Sequence, residues 1–171
     1  MTTAVELFRT QYKNSLNWLV GTLDGTTSDV FTQIPGDRIP PISAQLVHIF
    51  TGADFFVLGQ AAQQAPLITS SFADKSGIGE LPPPGGDLVE WSRTAQIDRE
   101  RVLAYGQAVY AAIDDYLASL TDDDLDQMRD LGSMGEQPVS WILNIILLNT
   151  FSHTGEISCI KGLNGLKGYP M

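Results

Sequence analysis

The sequence predicts an all-α domain, a four-helix bundle with long crossover connections. Three observations carry this. Apolar residues recur at steps of three and four in four separate segments, which is the period of a helix buried along one face. No pair of alternating, strand-like segments occurs. The segments are joined by Pro- and Gly-rich stretches, one of them too long for an ordinary bundle turn.

The first helix is expected from Thr3 to about Leu23, where Val5, Phe8, Tyr12, Leu16, Leu19 and Leu23 form the inward stripe. Gly25 and Thr26-Thr27-Ser28-Asp29 end it, and Pro35-Gly36 and Pro40-Pro41 keep the next connection turned or extended. A second helix is expected from Ile42 to about Gln63, with Ser43 available as a cap and His48 in its second turn. Residues 65–87 then lose periodicity and collect Pro66, Gly77, Gly79, Pro82 to Pro84 and Gly85-Gly86. A loop of that length is either a lid or a surface crossover that lets the helices on its two sides run in the same sense.

Asp87-Leu-Val-Glu90 has the spacing of a capping box, so a third, longest helix is expected from there to about Leu120. Trp91, Ala95, Val102, Tyr105, Val109, Ile113, Tyr116 and Leu120 form its buried stripe, with Arg93, Arg99, Glu100 and Asp114 on the wet side. Gly106 weakens it without breaking it. After a turn-rich bridge through Gly132 and Gly135, Pro138 suits the first turn of a fourth helix running from Val139 to Ile160. Its residues Ile142, Leu143, Ile145, Ile146, Leu147 and Leu148 are apolar around much of the circumference, which points to a homodimer interface.

Composition bounds the function. The 171 residues fit one domain, 1–171, and 43% apolar content closes a core of ordinary size. No run of about 18 consecutive apolar residues and no signal-peptide pattern is present, so a cytoplasmic protein is expected. Twenty acidic against ten basic residues give a net charge of −10, which repels nucleic acid and anionic membranes. The single cysteine, Cys159, excludes a disulfide and any multi-cysteine zinc site, and it is expected to be a small buried packing residue.

The two histidines, His48 and His153, both fall in apolar helices. Asn149, His153 and Glu156 share one face of the fourth helix at successive turns. A bundle core can bring imidazoles from two helices to one ion, and imidazole suits nickel and zinc. A catalytic zinc site, however, takes three protein ligands, and the third here is Asn149 or Glu156. A di-iron carboxylate site is excluded, because no Glu has His three positions later. No Gly-x-Ser-x-Gly elbow occurs, and Gly162, Gly165 and Gly168 follow no strand, so they form no nucleotide loop.

Leu46-Val-His-Ile-Phe50, Leu120-Thr-Asp-Asp-Asp-Leu125 and His153-Thr-Gly-Glu-Ile157, continuing through Lys161-Gly-Leu-Asn-Gly-Leu-Lys-Gly-Tyr-Pro170, make the chain resemble the DinB-like four-helix bundles over nearly its whole length. That group includes YfiT-type metal-dependent hydrolases and thiol S-transferases such as mycothiol-dependent maleylpyruvate isomerase. The resemblance implies a divalent metal held by one histidine on helix two and a His-x-x-x-His pair on helix four. His48 and His153 match that pattern, whereas the first member of the pair is Asn149. It further implies activation of water or a low-molecular-weight thiol, with Asn149 as third ligand or orienter and Glu156 as base or second acceptor. The residues leave two classes open, an altered metal site acting on a small molecule and a non-catalytic small-molecule-binding or dimeric structural module.

Overall fold

The computed structural model describes residues 2–171. Four long helices form the bundle, α1 (Ala4–Leu23), α3 (Ile42–Ala53), α5 (Arg99–Ala118) and α6 (Val139–Leu163), and two short ones, α2 (Ser28–Thr32) and α4 (Leu88–Ser92), lie in the connections. α1 packs on α5 and α6, and α3 packs on the same two helices from the other side. Cross-links give the directions. Tyr12 donates its hydroxyl to the Leu143 carbonyl at 2.9 Å and Lys161 reaches the Thr22 carbonyl, so α1 and α6 are parallel. Asp54 meets Tyr105 while the Tyr116 hydroxyl reaches the Ala61 carbonyl, so α3 and α5 are also parallel. The bundle thus runs up, down, down, up.

Two of the long helices, α1 and α5, begin on side-chain caps. Thr3 and Glu6 form a reciprocal capping box at α1, and Asp98 accepts the Arg101 amide at the start of α5. The core includes Leu19, Ile42, Leu46, Phe50, Tyr105, Ile113, Ile142 and Leu143, all fully buried. Gly106 has a packing reason that helix propensity hides: a Cβ there would collide with the Phe50 ring. The segment Ile42–Ala61 is long and apolar enough to cross a membrane, but it is mostly buried inside the bundle.

The third helix is not continuous. Asp87 starts α4 by accepting the Val89 and Glu90 amides, but the Glu90 carboxylate turns to Arg93 instead of closing a capping box. The chain then breaks helical form over residues 93–98, because Ile97 pairs with Ile78 and Asp98 donates its amide to the Gly77 carbonyl before capping α5. Ser43 is buried and caps nothing, and Pro41 occupies the N-cap of α3. A strand pair does exist. β1 (Met128–Asp130) and β2 (Glu136–Pro138) form an antiparallel hairpin with Arg129 opposite Gln137. Strands of three residues are too short to show an alternating pattern, which is why periodicity passes over them.

The 65–87 stretch is an anchored crossover. It joins helices running in the same sense, and Asp54 holds its start by accepting the Leu67 and Ile68 amides, each at 2.8 Å. Asp54 lies in a π-helical continuation of α3, Asp54–Ala61, and is itself fully buried. Further along, Phe72 leans on the Tyr105 ring, and Arg101 donates to the carbonyls of Asp74 and Lys75.

Candidate metal centre

α3 and α6 cross so that His48 and His153 face each other, although the two residues lie more than a hundred positions apart in the chain. Their ring centroids are 4.9 Å apart and the planes are nearly perpendicular at 81°. That spacing is of the order required when two imidazole nitrogens share one ion at bonds of about 2.1 Å. Both rings are half-buried, where each nitrogen needs a partner or a ligand.

The other polar groups fix the ring orientations. Asn149 Nδ2 lies 3.2 Å from His48 Nε2, so an amide N–H donating there makes Nε2 the acceptor and leaves the ring proton on Nδ1. His153 Nδ1 is 2.7 Å from Glu156 Oε2, three residues along the same helix. With Nδ1 donating to the carboxylate, the neutral ring keeps its lone pair on Nε2, the arrangement found when a carboxylate orients a metal-bound histidine. Burial lowers the His48 pKa, the neighbouring His153 lowers it further, and Glu156 opposes both. His48 is therefore neutral in neutral solution, which a metal ligand must be.

Among the described residues, no three His, Cys, Asp or Glu side chains converge to hold an ion. Glu156 lies against Nδ1 of His153, and Asn149 is the polar side chain against Nε2 of His48. Cys159 is exposed, not buried, and takes no part in the cluster.

Behind the site, α6 is held by hydroxyls. Thr150 shares a hydrogen bond of 2.7 Å with Tyr110, and Thr154 donates to the Thr150 carbonyl. Burial pushes the Tyr110 phenol up to about 12, so it stays protonated across the working pH range. Thr150 directly follows Asn149, so its bond to Tyr110 on α5 helps fix the rotation of α6 that points Asn149 and His153 toward α3. Tyr110 lies outside the α5 stripe that periodicity marks as core, and nothing in the spacing announces its burial or its hydroxyl partner.

A sequence model of the DinB superfamily matches residues 9–157, a span that includes His48, Asn149, His153 and Glu156. The chain belongs to the DinB superfamily. Among solved structures, a conserved protein from Enterococcus faecalis has the same fold, with a TM-score of 0.77 and 15% identity over 94% of this chain and 96% of that one. No curated protein matches the sequence. This DinB-superfamily member keeps both helix-borne histidines that the resemblance implies and carries an amide where the first histidine of the helix-four pair is expected. The long crossover is anchored by hydrogen bonds to Asp54, to residues 96–98 and to Arg101.

Proposed function

We propose that this DinB-superfamily chain binds a divalent ion, nickel or zinc, between α3 and α6 and acts on a small molecule as a hydrolase or thiol S-transferase in the cytoplasm. The approach of His48 and His153 to 4.9 Å, with Glu156 on the far nitrogen of one ring, supports this reading most directly. His48 and His153 supply imidazole nitrogens, and Asn149 supplies its amide oxygen. When bound, such an ion is a Lewis acid that lowers the pKa of a water or of a low-molecular-weight thiol.

The chain's own groups do the remaining work. Asn149 must give up its bond to His48 Nε2 and turn its carbonyl oxygen inward, which frees the His48 lone pair at the same moment. Glu156 holds the proton on His153 Nδ1 and so keeps Nε2 turned to the site. Its half-exposed carboxylate is open to solvent, through which it would take up the proton that a bound water or thiol gives up.

Metal content of untagged protein tests the reading. Nickel or zinc is expected to bind one to one, His48→Ala and His153→Ala should each abolish that binding, and Glu156→Gln should weaken it by about 10- to 100-fold. Metal content indifferent to both histidine substitutions defeats the proposal. The 3.2 Å bond between Asn149 and His48 favours a second reading, a non-catalytic small-molecule-binding or structural module in which that bond replaces the ion. Parent protein that binds no metal at stoichiometric levels selects it.

We also propose that α6 pairs two copies of the chain. No charged residue occurs from Val139 to Ser152, and Ile145, Leu148 and Phe151 are exposed at 38%, 53% and 43%. In a chain of net charge −10, that neutral apolar strip is where two copies approach without like-charge repulsion. Light scattering should give a dimer mass for the parent and a monomer mass for Leu148→Glu. A monomeric parent rules the pairing out.

A further inference from the structure

At the far end of α1 lies a cavity of about 750 Å³ whose lining contains neither histidine and which the metal reading does not use. Its floor is the last turn of α1 and the start of α5, and its other wall is the chain after α6, from Gly165 to Pro170. The size falls within the range of small-molecule pockets. Val20, Leu23, Leu103 and Leu166 make much of the lining apolar.

The wall is built by close contact. A Cβ on Gly21 would lie 2.9 Å from Pro170, and one on Gly168 would collide with Ser158, so these glycines let the segment lie flat on α1 and α6. Tyr169 stacks at 5.6 Å from Trp18, pinning the same segment from outside.

The charge of the cavity runs against the charge of the chain. Arg99 and Lys167 line it against one carboxylate, Asp24, in a molecule with twice as many acids as bases. Arg99 donates to the Thr26 carbonyl at 2.7 Å and to the Leu23 carbonyl at 3.3 Å while lying over the Phe31 ring, which holds the guanidinium at the cavity wall with further N–H groups to spare. Just behind, the buried Lys161 ammonium donates to the Thr22 and Asp24 carbonyls. These two cations offset the negative end of the α1 dipole, so Lys167 and the remaining Arg99 donors face the cavity with little opposition beyond Asp24. The Thr26 hydroxyl, next in the chain to the cavity residue Gly25, is 94% buried and has no hydrogen-bond partner among the described residues.

We infer that this cavity is a second binding site, independent of the histidines, for a small molecule with an apolar body and one anionic head group of the carboxylate class. The body lies against Val20, Leu103 and Leu166, and the head meets Arg99 and Lys167. Calorimetry on the full chain tests this with decanoate, and with decyltrimethylammonium as its cationic counterpart. Decanoate should bind one to one, at least about tenfold more tightly than the cation, as expected for a charge-assisted contact. Lys167→Glu, a change at an exposed residue, should weaken decanoate by about tenfold, and Val20→Trp should fill the cavity and abolish binding. His48→Ala should leave the affinity unchanged, so the outcome does not depend on the metal. No decanoate binding, equal affinity for both amphiphiles, or affinity indifferent to Val20→Trp and Lys167→Glu overturns the inference.

Discussion

Asp54→Ala should cost the bundle about 3 to 5 kcal/mol, the range for breaking a buried charged network by removing one partner. Three donors converge on this one carboxylate: the amides of Leu67 and Ile68 at 2.8 Å and the Tyr105 hydroxyl at 2.7 Å. Asp54 and Tyr105 are fully buried, so neither water nor a neighbour replaces the lost acceptor. Burial, together with the Asp54 charge, raises the Tyr105 pKa far above its ordinary value, so the phenol is held as a donor. Tyr105→Phe removes only one of the three bonds and should cost about 1 kcal/mol by comparison. Urea unfolding of both variants and of the pair measures this as a double-mutant cycle. A loss near 1 kcal/mol for Asp54→Ala would mean that the crossover does not depend on it.

The second large effect is a gain. Asn149→His should raise nickel or zinc affinity by more than the roughly 10- to 100-fold that loss of an orienting partner costs, because it adds a strong ligand rather than tuning one. The substitution also removes the amide that occupies His48 Nε2. The backbone at 149 already points the side chain at His48, and Tyr110 and Thr150 hold that rotation, so no rearrangement of α6 is required. Titration of the variant beside the parent decides the matter. Unchanged affinity would mean that the three positions do not share one ion, and the metal reading would fall with it.

Most of the architecture is legible from periodicity. The existence of α1, α3, α5 and α6 follows from the spacing of their apolar residues, although α3 is buried around nearly its whole circumference rather than along one face. The break at residues 93–98 is not legible. It depends on Ile97 pairing with Ile78 and on the Gly77 carbonyl, contacts between segments with no local signature. The site divides in the same way. His48, Asn149, His153 and Glu156 stand out as polar residues in apolar helices, and the last three share a face by simple arithmetic of the helix. That Glu156 holds His153 while Asn149 holds His48 follows only from how α3 and α6 cross. Asp54 carried a signal that could have been read, an acid between Ala53 and Phe55 in an otherwise apolar helix, where a buried carboxylate must have partners. Cys159 misled because its apolar neighbours suggest burial, whereas its turn of α6 faces outward.

The up, down, down, up course of the helices bears on how the chain folds. His48 and Asn149 meet across a sequence separation of 101 residues, after both long connections and the hairpin have been traversed. Contacts of that range form after local helices, since the loop-closure entropy is lost before any contact offsets it. A ligand bridging α3 and α6 therefore has no partial site to bind on a half-folded chain, and its uptake during refolding would time the closing of the last interface rather than the growth of any helix.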